Sequence, residues 1–240
     1  MTAGTMGALS GRRVIVTRSA ERSGALADLL RDAGADVLEI PVTTSMDAGD
    51  GGTALRAALA SLTDYDWLVV TSPEGARRVT DEAGRVHVDL AGVKRAAVGT
   101  ATARALGGAD LVPDTQTGAN LGVAFPAGSG RVLLAVAESA GTDFETAARA
   151  KGWVVDRVHS YRTVAVRPTG VTAADISACD AITFTATSAV EAWIAAFGGV
   201  VPPVVVAMGP QTERALRHAG IDGVVVASEQ SLSGVVAALG

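Results

Sequence analysis

Ala97-Val-Gly-Thr-Ala-Thr-Ala-Arg-Ala-Leu106 and Ala207-Met-Gly-Pro-Gln-Thr-Glu-Arg-Ala-Leu216 are two versions of one stretch, 110 residues apart (207 − 97 = 110). Each leaves an apolar run through glycine and enters a helical pattern. Three further blocks recur in the same order. Arg13-Val-Ile-Val matches Arg131-Val-Leu-Leu, and Gly34-Ala-Asp-Val matches Gly152-Trp-Val-Val, both at an offset of 118 (131 − 13). Val69-Val-Thr-Ser72 matches Thr183-Phe-Thr-Ala186 at an offset of 114 (183 − 69). Four blocks in one order divide the chain into two copies, roughly 13–125 and 131–239.

Within each copy the rhythm is strand, helix, strand. Val14–Thr17 is an apolar run, a helical pattern follows from Arg22 to Ala33, and Gly34 stops it before a second run at Val37–Ile40. Trp67–Val70 and Arg95–Val98 are the later strands of the first copy. The second copy repeats the series with Val132–Val136, Val154–Val158, Ala181–Phe184, Val204–Met208 and Val224–Val226. Continuously apolar strands separated by helices imply parallel sheets covered on both faces. The expected fold is α/β, with two doubly wound, flavodoxin-like units arising from an internal duplication.

Composition bounds the function. At 240 residues the chain carries 240/150 ≈ 1.6 domains' worth of sequence. It is 48% hydrophobic with mean hydropathy +0.33, enough for a packed core and unlike a disordered chain. The net charge of −5 argues against a protein that coats nucleic acid. Lys94 and Lys151 are its only lysines, so arginine supplies the rest of the basic set. One cysteine, Cys179, excludes an internal disulfide framework and a cysteine metal cage. Met1–Gly11 lacks the pattern of a secretory signal, and the uncharged Ala192–Thr212 is interrupted by Gly198-Gly199, Pro202-Pro203 and Gly209-Pro210. A soluble, cytoplasmic protein without a membrane span is expected.

Familiar catalytic signatures fail. No G-x-G-x-x-G follows a strand, neither lysine follows a glycine-rich loop, and His87, His159 and His218 lack metal-ligand spacing. Ala137-Glu-Ser139-Ala-Gly141 imitates a nucleophile elbow with alanine in the first glycine position; a helix start with Ser139 near its cap is the plainer reading. The carboxyl ends of the strands, where open α/β sheets bind ligands, carry small hydroxyl residues instead. They are Thr17-Arg18-Ser19, Thr71-Ser72-Pro73, Gly99-Thr100-Ala101-Thr102, Thr185-Ala186-Thr187-Ser188 and Gly209-Pro210-Gln211-Thr212. Singly, each can be a helix cap. Collected on two sheets, helix N-termini and hydroxyls make anion sites without lysine, with Arg18 available for charge pairing. The repeat also breaks at Tyr161, which replaces Thr43 at offset 118 (161 − 43) and is open to a packing or a functional reading.

Taken together, Val16-Thr-Arg18, Val70-Thr-Ser-Pro73, Val98-Gly-Thr-Ala-Thr-Ala103, Ser160-Tyr-Arg-Thr-Val-Ala165 and Met208-Gly-Pro-Gln-Thr212 resemble the uroporphyrinogen-III synthase family from about Arg13 to Leu239. The resemblance implies interleaved domains, 1–42 plus 167–240 and 43–166, joined by a two-stranded hinge near 41–43 and 160–168, with Tyr161 beside a cleft. It implies a cofactor-independent lyase of tetrapyrrole biosynthesis, monomeric and cytoplasmic, that cyclises linear hydroxymethylbilane with inversion of the last pyrrole ring and loss of water. Tyr161 would be the catalytic proton donor. Thr17, Arg18, Thr71, Ser72, Thr100, Thr102, Thr185, Thr187, Ser188 and Thr212 would hold the substrate, with no metal and no cofactor. The implied partners are the small tetrapyrrole and, transiently, the enzyme that delivers it, without nucleic acid or membrane. Two departures stand out: Ala186 where the family commonly has serine, and Ala137-Glu138-Ser139 where it often has glycine and a basic residue. A non-catalytic, two-lobed small-ligand-binding module is the alternative that the same duplicated α/β pattern permits.

Overall fold

The computed structural model describes residues 7–240, and for residues 20–22 the backbone only; the first part of Met1–Gly11 lies outside the described residues. Its strands are β1 (Arg13–Val16), β2 (Asp36–Glu39), β3 (Thr43–Met46), β4 (Trp67–Val70), β5 (Lys94–Ala97), β6 (Arg131–Ala137), β7 (Val154–Ala165), β8 (Ala181–Phe184), β9 (Val204–Ala207) and β10 (Val225–Val226). Its helices are α1 (Ala20–Asp32), α2 (Thr53–Ala60), α3 (Pro73–Arg85), α4 (Thr100–Ala105), α5 (Gly118–Ala124), α6 (Asp143–Ala150), α7 (Ala173–Ser177), α8 (Thr187–Phe197), α9 (Pro210–His218) and α10 (Leu232–Ala237).

The chain divides into two compact units, Met1–Thr44 with Val164–Gly240, and Ser45–Thr163. The first is built on a five-stranded sheet in the order β10-β9-β8-β1-β2, the second on β3-β7-β6-β4-β5. Every strand pair whose register is described is parallel, for example Val14↔Ala181 in the first sheet and Trp67↔Val132 in the second. Traced from β2, the first sheet has the 2-1-3-4-5 order of doubly wound folds. The repeat maps β6, β7, β4 and β5 onto β1, β2, β8 and β9, so four neighbouring strands of the second sheet keep the order of the first. Each sheet therefore joins the opening strands of one copy to the closing strands of the other. An isolated parallel bridge, Ala96↔Leu111, occupies the place of the β9–β10 pairing Val206↔Val225, at offsets of 110 (206 − 96) and 114 (225 − 111).

Alternate residues of the central strands feed opposite faces, and both faces are covered. Ile15, Ile182 and Phe184 enter one apolar cluster of the first unit while Val14, Val16 and Ala181 enter another. Leu68, Val70 and Leu133 face one cluster of the second unit, Val69, Val132 and Leu134 the other. This two-sided burial is why these strands are uninterrupted apolar runs. The stretch Ala192–Thr212 forms no single helix, since α8 stops at Phe197 and α9 starts at Pro210. Among the described residues no helix is long and apolar enough to cross a membrane.

Candidate active site

In the first unit, β1 is followed by Thr17, which is fully buried. Its hydroxyl donates to the Thr183 carbonyl at 2.8 Å, and the Thr183 hydroxyl donates to the Ile15 carbonyl at 3.2 Å. Thr17 thus ties the carboxyl end of β1 to that of β8, placing the turns that follow. Arg18 is half-buried in the turn. Ser19 stands at the start of α1, with its Oγ buried and unpartnered among the described residues.

Beyond the ends of β8 and β9 lies a cavity of about 560 Å³, with Thr185, Thr187, Gln211, Thr212, Arg214 and Gln230 on its walls. The starts of α8 and α9 reach it. The residue before α8 is Ala186, which provides no side-chain cap, and α9 follows Gly209 with Pro210 in its first position. The first amides of a helix have no partner within it, and the aligned peptide dipoles add positive potential there. Among the described residues no carboxylate lines the cavity. Thr212 is 5% exposed, and its hydroxyl bonds to nothing among the described residues. Ser188 is exposed just past the cavity wall. The arrangement suits a ligand that carries carboxylates.

In the second unit the corresponding helix starts are satisfied from within. The Ser72 hydroxyl accepts from the Gly75 amide at 3.0 Å, with Pro73 opening α3, the ordinary capping arrangement. The Thr100 amide at the head of α4 donates to Oε1 of Gln116 at 3.2 Å. Gln116 can lie there only because residue 99 is glycine: a Cβ on Gly99 would fall 2.0 Å from that oxygen. Thr102 is buried behind Thr100. Thr71 lines a separate cavity of about 190 Å³ with Val136, Gly141 and Phe144.

Tyr161 is 4% exposed and lies on β7 opposite Ala137, where the β6–β7 register shifts. The Glu138 amide donates to its carbonyl at 3.0 Å. The Glu138 carboxylate accepts from the Gly49 amide, so it is turned toward the loop before α2. Ser139 sits in an exposed turn four residues before α6, whose N-cap position is Thr142. The expectation that Ser139 sits near a helix cap is therefore corrected: the turn closed by the Ala140 amide on the Ala137 carbonyl delays the helix. Among the described residues no group of three or more His, Cys, Asp or Glu could hold a metal ion.

Sequence reasoning missed Gln116, Gln230 and Arg214. A signal was available for the glutamines, because offset 114 also aligns Gln116-Thr117 with Gln230-Ser231 (230 − 116). Thr117 and Ser231 cap α5 and α10 alike, accepting from the Asn120 and Gly234 amides at 3.1 and 2.9 Å.

Duplicated, doubly wound parallel sheets, with hydroxyls and two helix starts lacking side-chain caps around a strand-end cavity of the first, define the class: an α/β protein of two similar units. More particularly, the chain belongs to the uroporphyrinogen-III synthase family: the family model described as uroporphyrinogen-III synthase HemD matches residues 24–237. It is 31% identical over 165 residues to the uroporphyrinogen-III synthase of Synechococcus elongatus, covering 65% of this chain and 62% of that one. Over 165 residues it is likewise 31% identical to the porphyrin biosynthesis protein HemD of Ruminiclostridium josui, covering 65% of this chain and 32% of that one. The match thus spans under two thirds of either curated relative. Two solved structures share the fold. A mutant uroporphyrinogen III synthase of the extremely thermophilic bacterium Thermus thermophilus has a TM-score of 0.59 at 22% identity, covering 95% of this chain and 97% of that one. The uroporphyrinogen-III synthetase of Helicobacter pylori has a TM-score of 0.60 at 14% identity, covering 94% and 97%.

Proposed function

We propose that the protein is a uroporphyrinogen-III synthase, cyclising linear hydroxymethylbilane with inversion of its terminal ring. The observation that carries this reading is the family match across residues 24–237, joined to a strand-end cavity rich in hydroxyls and free amides. In this reaction the terminal hydroxyl takes a proton and leaves as water, giving an electrophilic azafulvene. The last pyrrole attacks through its already substituted carbon, forming a spiro centre. That centre fragments and recloses at the free position, and loss of a proton restores the aromatic ring. The reagent is already reactive, so the protein's task is to hold a flexible chain in the geometry that leads through the spiro centre. Tyr161 is the proposed donor to the departing hydroxyl. Carboxylates of the bilane are proposed to meet the α8 and α9 amides, Thr185, Thr187 and Thr212. Leaving group and nucleophile both belong to the bilane, so the chemistry is that of a carbon–oxygen lyase working without a cofactor. We place it in the cytoplasm as a monomer that receives the unstable bilane through transient contact with the enzyme producing it.

Incubation with enzymatically generated hydroxymethylbilane, followed by oxidation and separation of uroporphyrin isomers, tests the proposal. Type III is expected to predominate. Type I alone, as in the spontaneous reaction, overturns it and leaves the non-catalytic binding module as the better reading.

A further inference from the structure

The repeat presents the same two helix starts in each unit, and the chain treats them oppositely. Ser72 caps α3, whereas its counterpart before α8 is Ala186, which offers no oxygen. Gln116 occupies the first amide of α4, whereas the counterpart of Thr100 is Pro210, which has no N–H to offer Gln230. Gln230 lies close to the start of α9, since a Cβ on Gly209 would stand 3.1 Å from its Cδ. It nevertheless makes no hydrogen bond among the described residues. The α8 start without a side-chain cap, and the hydroxyl of buried Thr212 that bonds to nothing among the described residues, leave donors on that side for acceptors from outside the protein.

Among the described residues the cavity walls carry a single charged side chain, Arg214, one turn into α9. Most arginines here are paired: Arg217 on the same helix bonds Glu213 at 2.8 Å, and Arg77 and Arg78 share Glu74. Arg214 has no ion pair among the described residues. Its repeat counterpart is Arg104 (214 − 110), at the far end of the six-residue α4, and Arg104 does not line the 190 Å³ cavity of the second unit. A guanidinium offers two parallel N–H donors that match a carboxylate.

We propose that the first unit alone anchors the carboxylates of the ligand, and that Arg214 is the specificity-determining residue, gripping one carboxylate through paired N–H···O bonds. Thr212 Oγ1 and the Gln211 and Thr212 amides take a neighbouring carboxylate oxygen, and the Gln230 carboxamide adds an N–H donor. The second unit's equivalent positions are closed by Ser72 and Gln116 and bind no carboxylate. The identity of the ligand as a bilane rests on the synthase reading; the carboxylate chemistry rests on the cavity.

The test compares R214Q, R214K and the repeat-related control R104Q. With hydroxymethylbilane, R214Q is expected to raise KM by about 10- to 100-fold with kcat within about twofold, as fits loss of a charge-assisted contact made equally in ground and transition states. R214K is expected to recover part of the loss through charge alone, and R104Q to leave both constants unchanged. A second measurement does not need turnover: titration with glutarate, a simple dicarboxylate, followed by the amide NMR signals of Gln211, Thr212 and Thr100. Shifts at Gln211 and Thr212 but not Thr100, abolished in R214Q and kept in R104Q, are expected. If isomer III forms but KM in R214Q matches that of the unaltered protein, the anchoring role of Arg214 is overturned and the synthase reading survives. If isomer III never forms but glutarate behaves as described, the synthase reading falls and the carboxylate site stands. Shifts at Thr100 equal to those at Thr212, or none at either, overturn one-sided anchoring.

Discussion

Thr17 directly follows β1 and Tyr161 lies within β7, and both carry hydroxyls. Thr17 commits its proton to the Thr183 carbonyl, inside a reciprocal pair that also joins Thr183 to Ile15. Thr17→Val keeps the shape and removes that hydrogen bond in a fully buried place. A loss of about 1–3 kcal/mol is expected, read as a lower midpoint in urea unfolding. Tyr161→Phe is expected to lower kcat by about 100-fold while circular dichroism and KM stay close to those of the parent; undiminished turnover removes Tyr161 from proton transfer. The sequence marks Thr17 as one of several strand-end hydroxyls and Tyr161 as a break in the repeat, and it gives neither side chain its contacts. What distinguishes Thr17 is a neighbour 166 residues away, which no local pattern reveals.

The helices make the same point at the next scale. α3 and α8 hold equivalent positions, yet only α3 has a side-chain cap. Ala186→Ser is expected to stabilise the first unit by about 0.5–2 kcal/mol through a bond to an early α8 amide, detectable as a raised urea midpoint. Because that amide is then occupied, the same change is expected to weaken carboxylate binding. Nine of the ten strands were legible from apolar runs, as where β4 and β8 coincide with Trp67–Val70 and Ala181–Phe184, while the polar β3, Thr43–Met46, left no such signal. The full length of β7 was not legible either, since the strand continues past Val158 to Ala165. Asp156, Arg157, His159 and Ser160 interrupt the apolar signal there, while ladder pairing keeps the strand going: Asp156 and Arg157 lie opposite Leu133 and Leu134 of β6, and β3 flanks its other side. Periodicity reports burial, and backbone pairing needs none. The site was half-legible for the same reason. Ser and Thr before helices are visible in the sequence, but whether Gln116 or a ligand fills a helix start depends on a loop arriving from elsewhere.

At the scale of the whole molecule, acid stability follows from carboxylates held below their usual range. The Ser23 hydroxyl and then Arg31 hold Glu39 low, the Thr172 hydroxyl and amide hold Asp175 low, and the Ala54 and Gly52 amides hold Asp50 low. A carboxylate whose folded pKa lies below its unfolded value stabilises the fold fully above the unfolded value of about 4 and loses that contribution as pH falls through the folded one. The urea midpoint is therefore expected to be insensitive to these groups near pH 7 and to fall below about pH 4; a midpoint that holds down to about pH 2 contradicts it. The duplication was visible in the offsets of 118, 114 and 110, because matched blocks record which elements are equivalent. They do not record which are neighbours, and the mixing of copies within each sheet belongs to that second kind of information.

That mixing sets a timetable. β1 pairs with β2 soon after both are made, but its other edge waits for β8, which starts 165 residues after β1 ends (181 − 16). At a synthesis rate of about 5–20 residues per second the wait is roughly 8–33 s. The contiguous stretch Ser45–Thr163 emerges during that interval and carries all its internal contacts with it. On the ribosome β1, which precedes every other described strand, belongs to the sheet finished after that of the second unit, and its open edge is the place where a nascent chain of this design needs protection from its neighbours.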